Sequence, residues 1–577
     1  MGWLTNIFPL TGQLRRYERD HLGADLSAGA TTAIMLIPQA MAYAMLAGLS
    51  PIVGLYASTI PIALYALLGT SRQLAVGPVA VISLMTASAV GMLAESGTDA
   101  YLSYALLLAV LVGLVQLIMG LLRLGIITNF LSHPVLSGFT SAAAIIIGYS
   151  QFDKLVGADF HGLTALIGIA SLAILLLFKK FKPRFPAMFA LVILSTVAVW
   201  FFDLHERGVA VVGDVPSGLP SPAMVPLSME AIEVLLPAAL VIALVGFMES
   251  YAVAKKIAAR HGEENTLNPN RELIGLGAAN LGGGFFGGYP IAGGFSRSAV
   301  NDQAGAKTNL AGLITGLAVV VTLLFLTDLF YFLPQPVLAA IIMTAIVGLI
   351  DVEAVKHLWE VKRDGLAILL ITFASTLIIG IEEGIGIGIA ASLLWFIFRS
   401  TRPHTAVLGR LPNTTSYRNL ERHPEALVIP GVLTLRIDSQ FYFGNVTFLK
   451  DTLQELEANM GAPLRAVVID ASSINQLDSS ADLALRQIIE DYRERDIDFY
   501  LAKVKGPVLD VMKKSGLYEF IGPDHLTHRV HDAVTEVCHA CFDVDLPEDL
   551  ECDIDPDLVA VTGQDGGLNI PDKSDDE

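Results

Sequence analysis

From Leu26 to Phe398 the sequence alternates long apolar runs with short breaks of glycine, proline or polar residues. Many of the runs hold roughly 17 to 25 residues, enough helix to cross a hydrocarbon core. The pattern predicts helices near 26–46, 52–69, 78–94, 101–121, 134–150, 162–178, 186–203, 231–253, 272–286, 296–304, 308–327, 334–350, 365–380 and 383–398. That is about fourteen spans, some too short to cross alone. After Ser400 the pattern changes: ALVIPGVLTLRID (426–438), RAVVIDAS (465–472) and FYLAKV (499–504) read as strands, with helical VTFLKDTLQELEANM and SADLALRQIIEDYRERD between them. Such alternation predicts an α/β domain with helices packed on a sheet. The chain thus divides into an N-terminal segment 1–24, a helical membrane part 25–400, a linker 401–425, an α/β domain 426–542, and an acidic, aromatic-poor tail 543–577 expected to be disordered.

Composition agrees with a membrane protein. Of 577 residues, 53% are hydrophobic and 16% charged, and the mean hydropathy is +0.59. A net charge of −19 argues against nucleic acid as a partner, and against an anionic lipid surface as a docking site for the soluble part. Arg15, Arg16 and Arg19 precede an apolar segment that many others follow, so no cleavable signal peptide is predicted. Cys538, Cys541 and Cys552 all lie after the membrane part, and the CxxC of the first two lacks a second pair. Free cytosolic thiols are predicted, with no metal and no cofactor. In the α/β domain no nucleophile–base pair or phosphate-cradling loop points to an enzyme.

Lys and Arg in short loops collect on the cytoplasmic side of a membrane. With the N-terminus inside, Arg72, Arg123, KKFKPR (179–184), Lys255, Lys256, Arg260, Lys307, Lys362, Arg363, Arg399 and Arg402 also fall inside. Only Lys154 and Arg207 fall outside. This distribution predicts an even number of crossings with both termini in the cytoplasm.

Two spans begin unusually. LAVGPVAVIS (74–83) and GGFSRSAVN (293–301) are glycine-flanked helix starts, third and tenth in order, at matching positions if the spans divide seven and seven. An odd number per half inverts the second half relative to the first, as in inverted-repeat transporters whose discontinuous helices meet near the midplane. Two half-helices meeting N-terminus to N-terminus aim unpaired N–H groups and two positive dipole ends at one point, which suits an anion. Pro78 fits the first turn of the earlier half-helix, and Ser296 is placed to cap the later one.

Polar side chains appear in the neighbouring spans. Gln39 directly follows Pro38, a helix breaker, and Tyr43 lies one turn on. Glu249 lies in the eighth span and Arg297 at the start of the tenth. Intramembrane ionisable residues are candidate functional sites. The structural alternatives are interhelical packing for Gln39 and Tyr43, pairing of Glu249 with Lys255, Lys256 or Arg297, and snorkelling or ion pairing for Arg297. Glu382 and Glu383 read as loop residues at the membrane surface, and the following GIGIGIA as close helix packing.

IPQAMAYAMLAGLSPIVGLYAS (37–58), TSRQLAVGPVAVIS (70–83) and GGFSRSAVNDQAGAKTNLAGL (293–313) resemble the SulP family of inorganic anion permeases, and the soluble part resembles that family's STAS domain. The resemblance implies seven-plus-seven inverted repeats, divided into a core that carries the substrate and a gate against which it moves, and a homodimer. It also implies an anion bound between the third and tenth helices with side chains from the first and eighth. By motif match these are Gln39 and Tyr43, the backbone of Gly77, Pro78, Val79 and Ala80, then Glu249, Ser296 and Arg297. Sodium-driven bicarbonate members carry a hydroxyl one turn after the eighth-helix carboxylate, where this chain has Val253. A proton carried by Glu249 is therefore expected rather than sodium.

In LDSSADLAL (477–485) the resemblance places a phosphorylatable serine at Ser480, but Ala481 replaces the glycine of the antagonist loop. Ser479 or Ser480 is the expected helix cap. Together these features predict a transporter of a small anion, sulfate before bicarbonate or a dicarboxylate, working by proton symport or anion exchange. A fork of donors on Arg297 suits a doubly charged oxyanion. The setting is a lipid bilayer, as in a bacterial inner membrane, with a cytosolic protein as partner for the STAS domain. The other class to weigh is a membrane sensor or scaffold that signals through that domain.

Overall fold

The computed structural model describes residues 8–542 except 16, 130–131, 158–159, 183–184, 224 and 226–227. The acidic tail, Cys552 and the side chain of Cys541 lie outside the described residues. The chain packs as two units that divide between Leu393 and Leu394, within the helix Ile381–Thr401, which is numbered with the first.

The first unit is helical: α1 (Pro9–Arg15), α2 (Arg19–Leu46), α3 (Pro51–Tyr56), α4 (Ile60–Leu68), α5 (Ala80–Gly91), α6 (Asp99–Leu121), α7 (His133–Val156), α8 (Gly162–Phe181), α9 (Ala187–Phe201), α10 (Met229–His261), α11 (Pro269–Phe285), α12 (Phe295–Gln303), α13 (Leu310–Phe325), α14 (Gln335–Ile346), α15 (Val352–Val361), α16 (Arg363–Ile378) and α17 (Ile381–Thr401). Each predicted span contains a helix, and among the described residues seven helical stretches are long and apolar enough to cross a membrane. The second predicted span is interrupted between α3 and α4, whereas α2 continues through Pro38 instead of breaking there. Glu382 and Glu383 occupy the first turn of α17 rather than a loop, where carboxylates complement the positive end of the helix.

Glycines set the close crossings. A Cβ on Gly113 of α6 would lie 2.5 Å from the backbone nitrogen of Leu281 in α11, so only hydrogen allows these backbones to meet. Gly384 and Gly388 of the GIGIGIA stretch lie against Thr376 and Thr372 of α16, while Gly386 faces open space. In the apolar windows of α2 and α6, 67% of residues are buried, against 28% in α8 and 22% in α17, so the former build the centre and the latter the periphery.

Polar ties separate the two ends of the bundle. Arg72 pairs with Glu263 at 2.7 Å, Arg260 lies 3.9 Å from Asp302, and Asp25 accepts from the backbone of Lys307 and Thr308, all at one end. At the other end Tyr101 bonds the Ala47 carbonyl and Lys154 reaches the Met45 carbonyl at 3.5 Å. Arg72, Arg260 and Lys307, read as inside, therefore lie at the opposite end of the bundle from Lys154, read as outside.

Two short strands complete this unit, β1 (Val76–Gly77) and β2 (Ala292–Gly293). The second unit holds a six-stranded sheet of β3 (Thr405–Arg410), β4 (Tyr417–Asn419), β5 (Val432–Ile437), β6 (Ala466–Asp470), β7 (Asp498–Ala502) and β8 (Leu526–Thr527), in the order β4-β3-β5-β6-β7-β8. Strands β5 to β8 are parallel, and β3 is antiparallel to both β4 and β5. Helices α18 (Val446–Ala458), α19 (Ser479–Arg493), α20 (Gly506–Ser515), α21 (Leu517–Ile521) and α22 (Val530–Phe542) flank it.

Alternate residues of the central strands serve two cores, as the pleat demands. Leu433, Leu435, Val467 and Ile469 meet Leu449, Leu453, Leu485 and Ile489 on one face. On the other, Val432, Val468 and Tyr500 meet Val534, Val537 and Cys538 of α22.

Residues 401–425, read as a linker, instead supply β3 and β4. These strands lack an apolar run long enough to stand out; pairing with β5 defines β3, and pairing with β3 defines β4. Asp478, not Ser479 or Ser480, caps α19, accepting from the Ala481 N–H at 2.7 Å, and both serines are exposed.

Candidate functional site

The site is organised by the pairing of β1 with β2. They run antiparallel, with Val76 opposite Gly293 and Gly77 opposite Ala292, and a further bond joins the Gly294 N–H to the Ala75 carbonyl at 3.0 Å. Each strand leads at once into a half-helix, α5 from β1 and α12 from β2. Neither half-helix has a side-chain cap, because the N-cap positions are Val79 and Gly294. Ser296, expected to cap, lies instead at the second residue of α12, and Pro78 precedes α5. The two N-termini thus keep uncapped N–H groups and their positive dipole ends, as an anion site requires.

Between them lies a cavity of about 70 Å³ lined by Gln39 and Tyr43 from α2, Val79, Ala80 and Val81, Glu249 from α10, Gly294 to Arg297, and Ala345 and Leu349. Seven of the sequence-predicted residues therefore share one cavity: Gln39, Tyr43, Val79, Ala80, Glu249, Ser296 and Arg297. Gly77 and Pro78 stand behind it and hold the arginine. The Arg297 Nη1 donates to the Pro78 carbonyl at 2.6 Å. A Cβ on Gly77 would lie 3.4 Å from Nη2, and the residue has φ of 155°.

Arg297 is 2% exposed, yet its Nε and Nη2 have no hydrogen-bond partner. Buried donors left unpaired are costly, so their persistence in a cavity wall points to a ligand. Gln39 is also buried; its Nε2 contacts the Met188 sulfur at 3.7 Å and its Oε1 is unpaired. Among the described residues Glu249 forms no ion pair within 4.0 Å, and Lys256 lies over the Phe295 ring at 5.3 Å. The structural pairings weighed for Glu249 and Arg297 are not made. Ser480 lies in the other unit and takes no part in this site.

Several residues that position the site were not singled out in the sequence. Ser250 accepts from the Gly293 N–H at 2.7 Å, and Ser298 accepts from the Ala75 N–H at 2.9 Å, pinning β2 and β1. Asn280 brackets Ile291 through both its N–H and its carbonyl. Behind the site, Glu272 of α11 accepts from Tyr65 Oη at 2.6 Å, the Thr70 N–H at 2.6 Å, Thr70 Oγ1 at 2.5 Å and the Ser71 N–H at 3.0 Å. That carboxylate fixes the segment that leads into β1.

Facing half-helix N-termini around a buried, half-paired arginine, inside a helical membrane unit followed by an α/β domain, define an anion transporter with an appended α/β domain. The sulfate permease family profile matches residues 22–164 and 158–372, and the STAS domain profile matches 423–533. The chain is 41% identical to Sulfate transporter 4.1, chloroplastic, of Arabidopsis thaliana, over 93% of this chain and 83% of that one. It is 34% identical to a probable sulfate transporter of Mycobacterium tuberculosis, over 92% and 98% of the respective chains.

Among solved structures, murine solute carrier 26 family member A9, an anion transporter in its inward-facing state, superposes with a TM-score of 0.86 at 24% identity, covering 93% of this chain and 94% of that one. The transmembrane domain of the cyanobacterial bicarbonate transporter BicA matches with a TM-score of 0.55 at 24% identity, covering 65% of this chain and 98% of that one. The chain belongs to the sulfate permease family, and it is a multi-pass membrane anion transporter, not an enzyme, with a C-terminal STAS domain.

Proposed function

We propose that this protein carries sulfate across the membrane by alternating access, binding it in the cavity between the N-termini of α5 and α12. The observation that carries the proposal is the pair of unpaired donors on Arg297, Nε and Nη2, which present one edge of the guanidinium fork to a doubly charged oxyanion. Uncapped N–H groups of both half-helices supply the remaining neutral donors, and Gln39, Tyr43 and Ser296 complete the wall. The names of similar proteins support sulfate over bicarbonate.

Glu249 lines the same cavity as Arg297 and, among the described residues, makes no ion pair within 4.0 Å, and Val253 stands where a sodium site would need a hydroxyl. Binding a proton there removes a negative charge from the wall as the anion enters, which couples the two in symport. The protein works as a homodimer with both termini in the cytoplasm, the latter in keeping with Arg72, Arg260 and Lys307 at one end of the bundle and Lys154 at the other.

Uptake of labelled sulfate into proteoliposomes tests the proposal, with and without an inward proton gradient and with unlabelled sulfate, bicarbonate, chloride or fumarate as competitor. Sulfate is expected to be the strongest competitor, and the gradient is expected to drive accumulation. Labelled sulfate uptake inhibited more strongly by bicarbonate or fumarate than by unlabelled sulfate would assign a different substrate, and an absence of uptake for labelled sulfate, bicarbonate, chloride and fumarate alike would favour a sensor.

A further inference from the structure

In a chain of net charge −19, the STAS domain holds an open cleft of about 370 Å³ lined by three arginines, two histidines and a single carboxylate: Arg418, Arg422, Arg436, His404, His423 and Asp438. The residues come from the edge strand β4 and the loop after it, from the residue before β3, and from the end of β5. The lone carboxylate is already saturated. Asp438 accepts from Arg436 Nε at 2.6 Å and Nη2 at 2.9 Å, and from Ser473 Oγ at 3.3 Å, and it pairs with His404 Nδ1 at 3.0 Å. Partial burial works against its charge, but the bonds from Arg436 and His404 outweigh it and hold the carboxyl below its ordinary range, so it stays ionised and occupied. His423 is held by Glu425 through Nδ1 at 2.9 Å.

Arg418 and Arg422 are different. Among the described residues neither side chain makes an ion pair or hydrogen bond, while Arg495 and Arg529 of the same unit each hold a carboxylate. The loop that carries Arg422 is fixed by Asn419, whose carbonyl accepts from the N–H groups of Arg422 and His423 and whose Oδ1 accepts from that of Glu421. Two free guanidinium forks on a braced edge therefore share a concave site.

We propose that this cleft is a second anion site, separate from the transport cavity, that takes a free doubly charged tetrahedral oxyanion of the phosphate or sulfate type. Arginine forks match such oxygens two at a time, and the cleft has room for the ion with its waters. No Phe, Tyr or Trp ring lines it, so recognition rests on the charged group. The acidic balance of the chain favours a small ion over an anionic membrane surface as the occupant.

Equilibrium binding of labelled inorganic phosphate to the purified full-length protein, at fixed ionic strength, tests this. The double variant Arg418→Gln and Arg422→Gln should weaken binding at least tenfold, with unlabelled sulfate competing in the parent protein, whereas Arg297→Ala should leave this component intact. The pair Arg418→Lys and Arg422→Lys, which keeps the charge but loses the fork, should fall between the two. Unchanged phosphate binding in the glutamine variant overturns the proposal, as does loss of all binding in Arg297→Ala. A change confined to co-sedimentation with phosphatidylglycerol vesicles, with free phosphate unaffected, would assign the patch to a lipid surface and also overturn it.

Discussion

Glu272 and Arg297 are both charges buried in the apolar unit, 0% and 2% exposed, but their surroundings are opposite. Glu272 accepts four hydrogen bonds from Tyr65, Thr70 and Ser71, and Asp25 is similarly saturated by Tyr17, Lys307 and Thr308. Arg297 gives one bond, to Pro78, and keeps two donors unpaired beside a cavity. A charge that holds helices together is satisfied by the protein alone. One that serves a ligand is anchored at one point and left open at the rest.

The largest effect is expected from Glu272→Ala, which strands several buried donors at once and should cost about 3 kcal/mol or more. It should appear as a marked fall in Tm and in the monodisperse fraction in detergent, with near-normal sulfate affinity in whatever protein folds. A variant as stable as the parent would remove Glu272 from the structural side of the comparison. Arg297→Ala comes next: losing a charged pair of donors should weaken sulfate binding roughly a hundredfold, about 3 kcal/mol, at little change in Tm. A strong loss of stability with unchanged affinity would move Arg297 to the structural side.

Glu249→Gln should retain sulfate exchange down its gradient but lose accumulation driven by a proton gradient. Continued accumulation would free Glu249 from coupling. The smallest effect is expected from Ser298→Ala, which removes one hydrogen bond to the Ala75 N–H and should reduce sulfate affinity about fivefold, near 1 kcal/mol. Affinity within experimental error of the parent would show that β1 holds its place without that serine.

Much of the pocket was legible because it breaks local rules: glycine-flanked helix starts, a glutamine behind a proline, and charges inside apolar runs stand out against a hydrophobic background. The supporting shell does not break those rules. Glu272 sits in the first turn of a helix, where a carboxylate is ordinary, and Ser298 reaches a partner 223 residues away that no local pattern announces. Serine in a helix is also commonly satisfied by its own backbone, which hides such a role. In the STAS domain the same limit applies to β3, which is short and gains its identity from β5, to β4, which gains its own from β3, and to α19, where an adjacent aspartate wins the cap from two serines.

The amphipathic α15 was missed because it is short and half polar, with Trp359 exposed beside Arg363. Reading apolar runs finds helices that are apolar all round and passes over one that is apolar on a single face.

A structure of the full chain with sulfate bound tests the central claim most directly. The anion is expected between the first turns of α5 and α12, with its oxygens about 3 Å from Nε and Nη2 of Arg297. Sulfate bound elsewhere, with those two donors taken up by the Glu249 carboxylate, would contradict it.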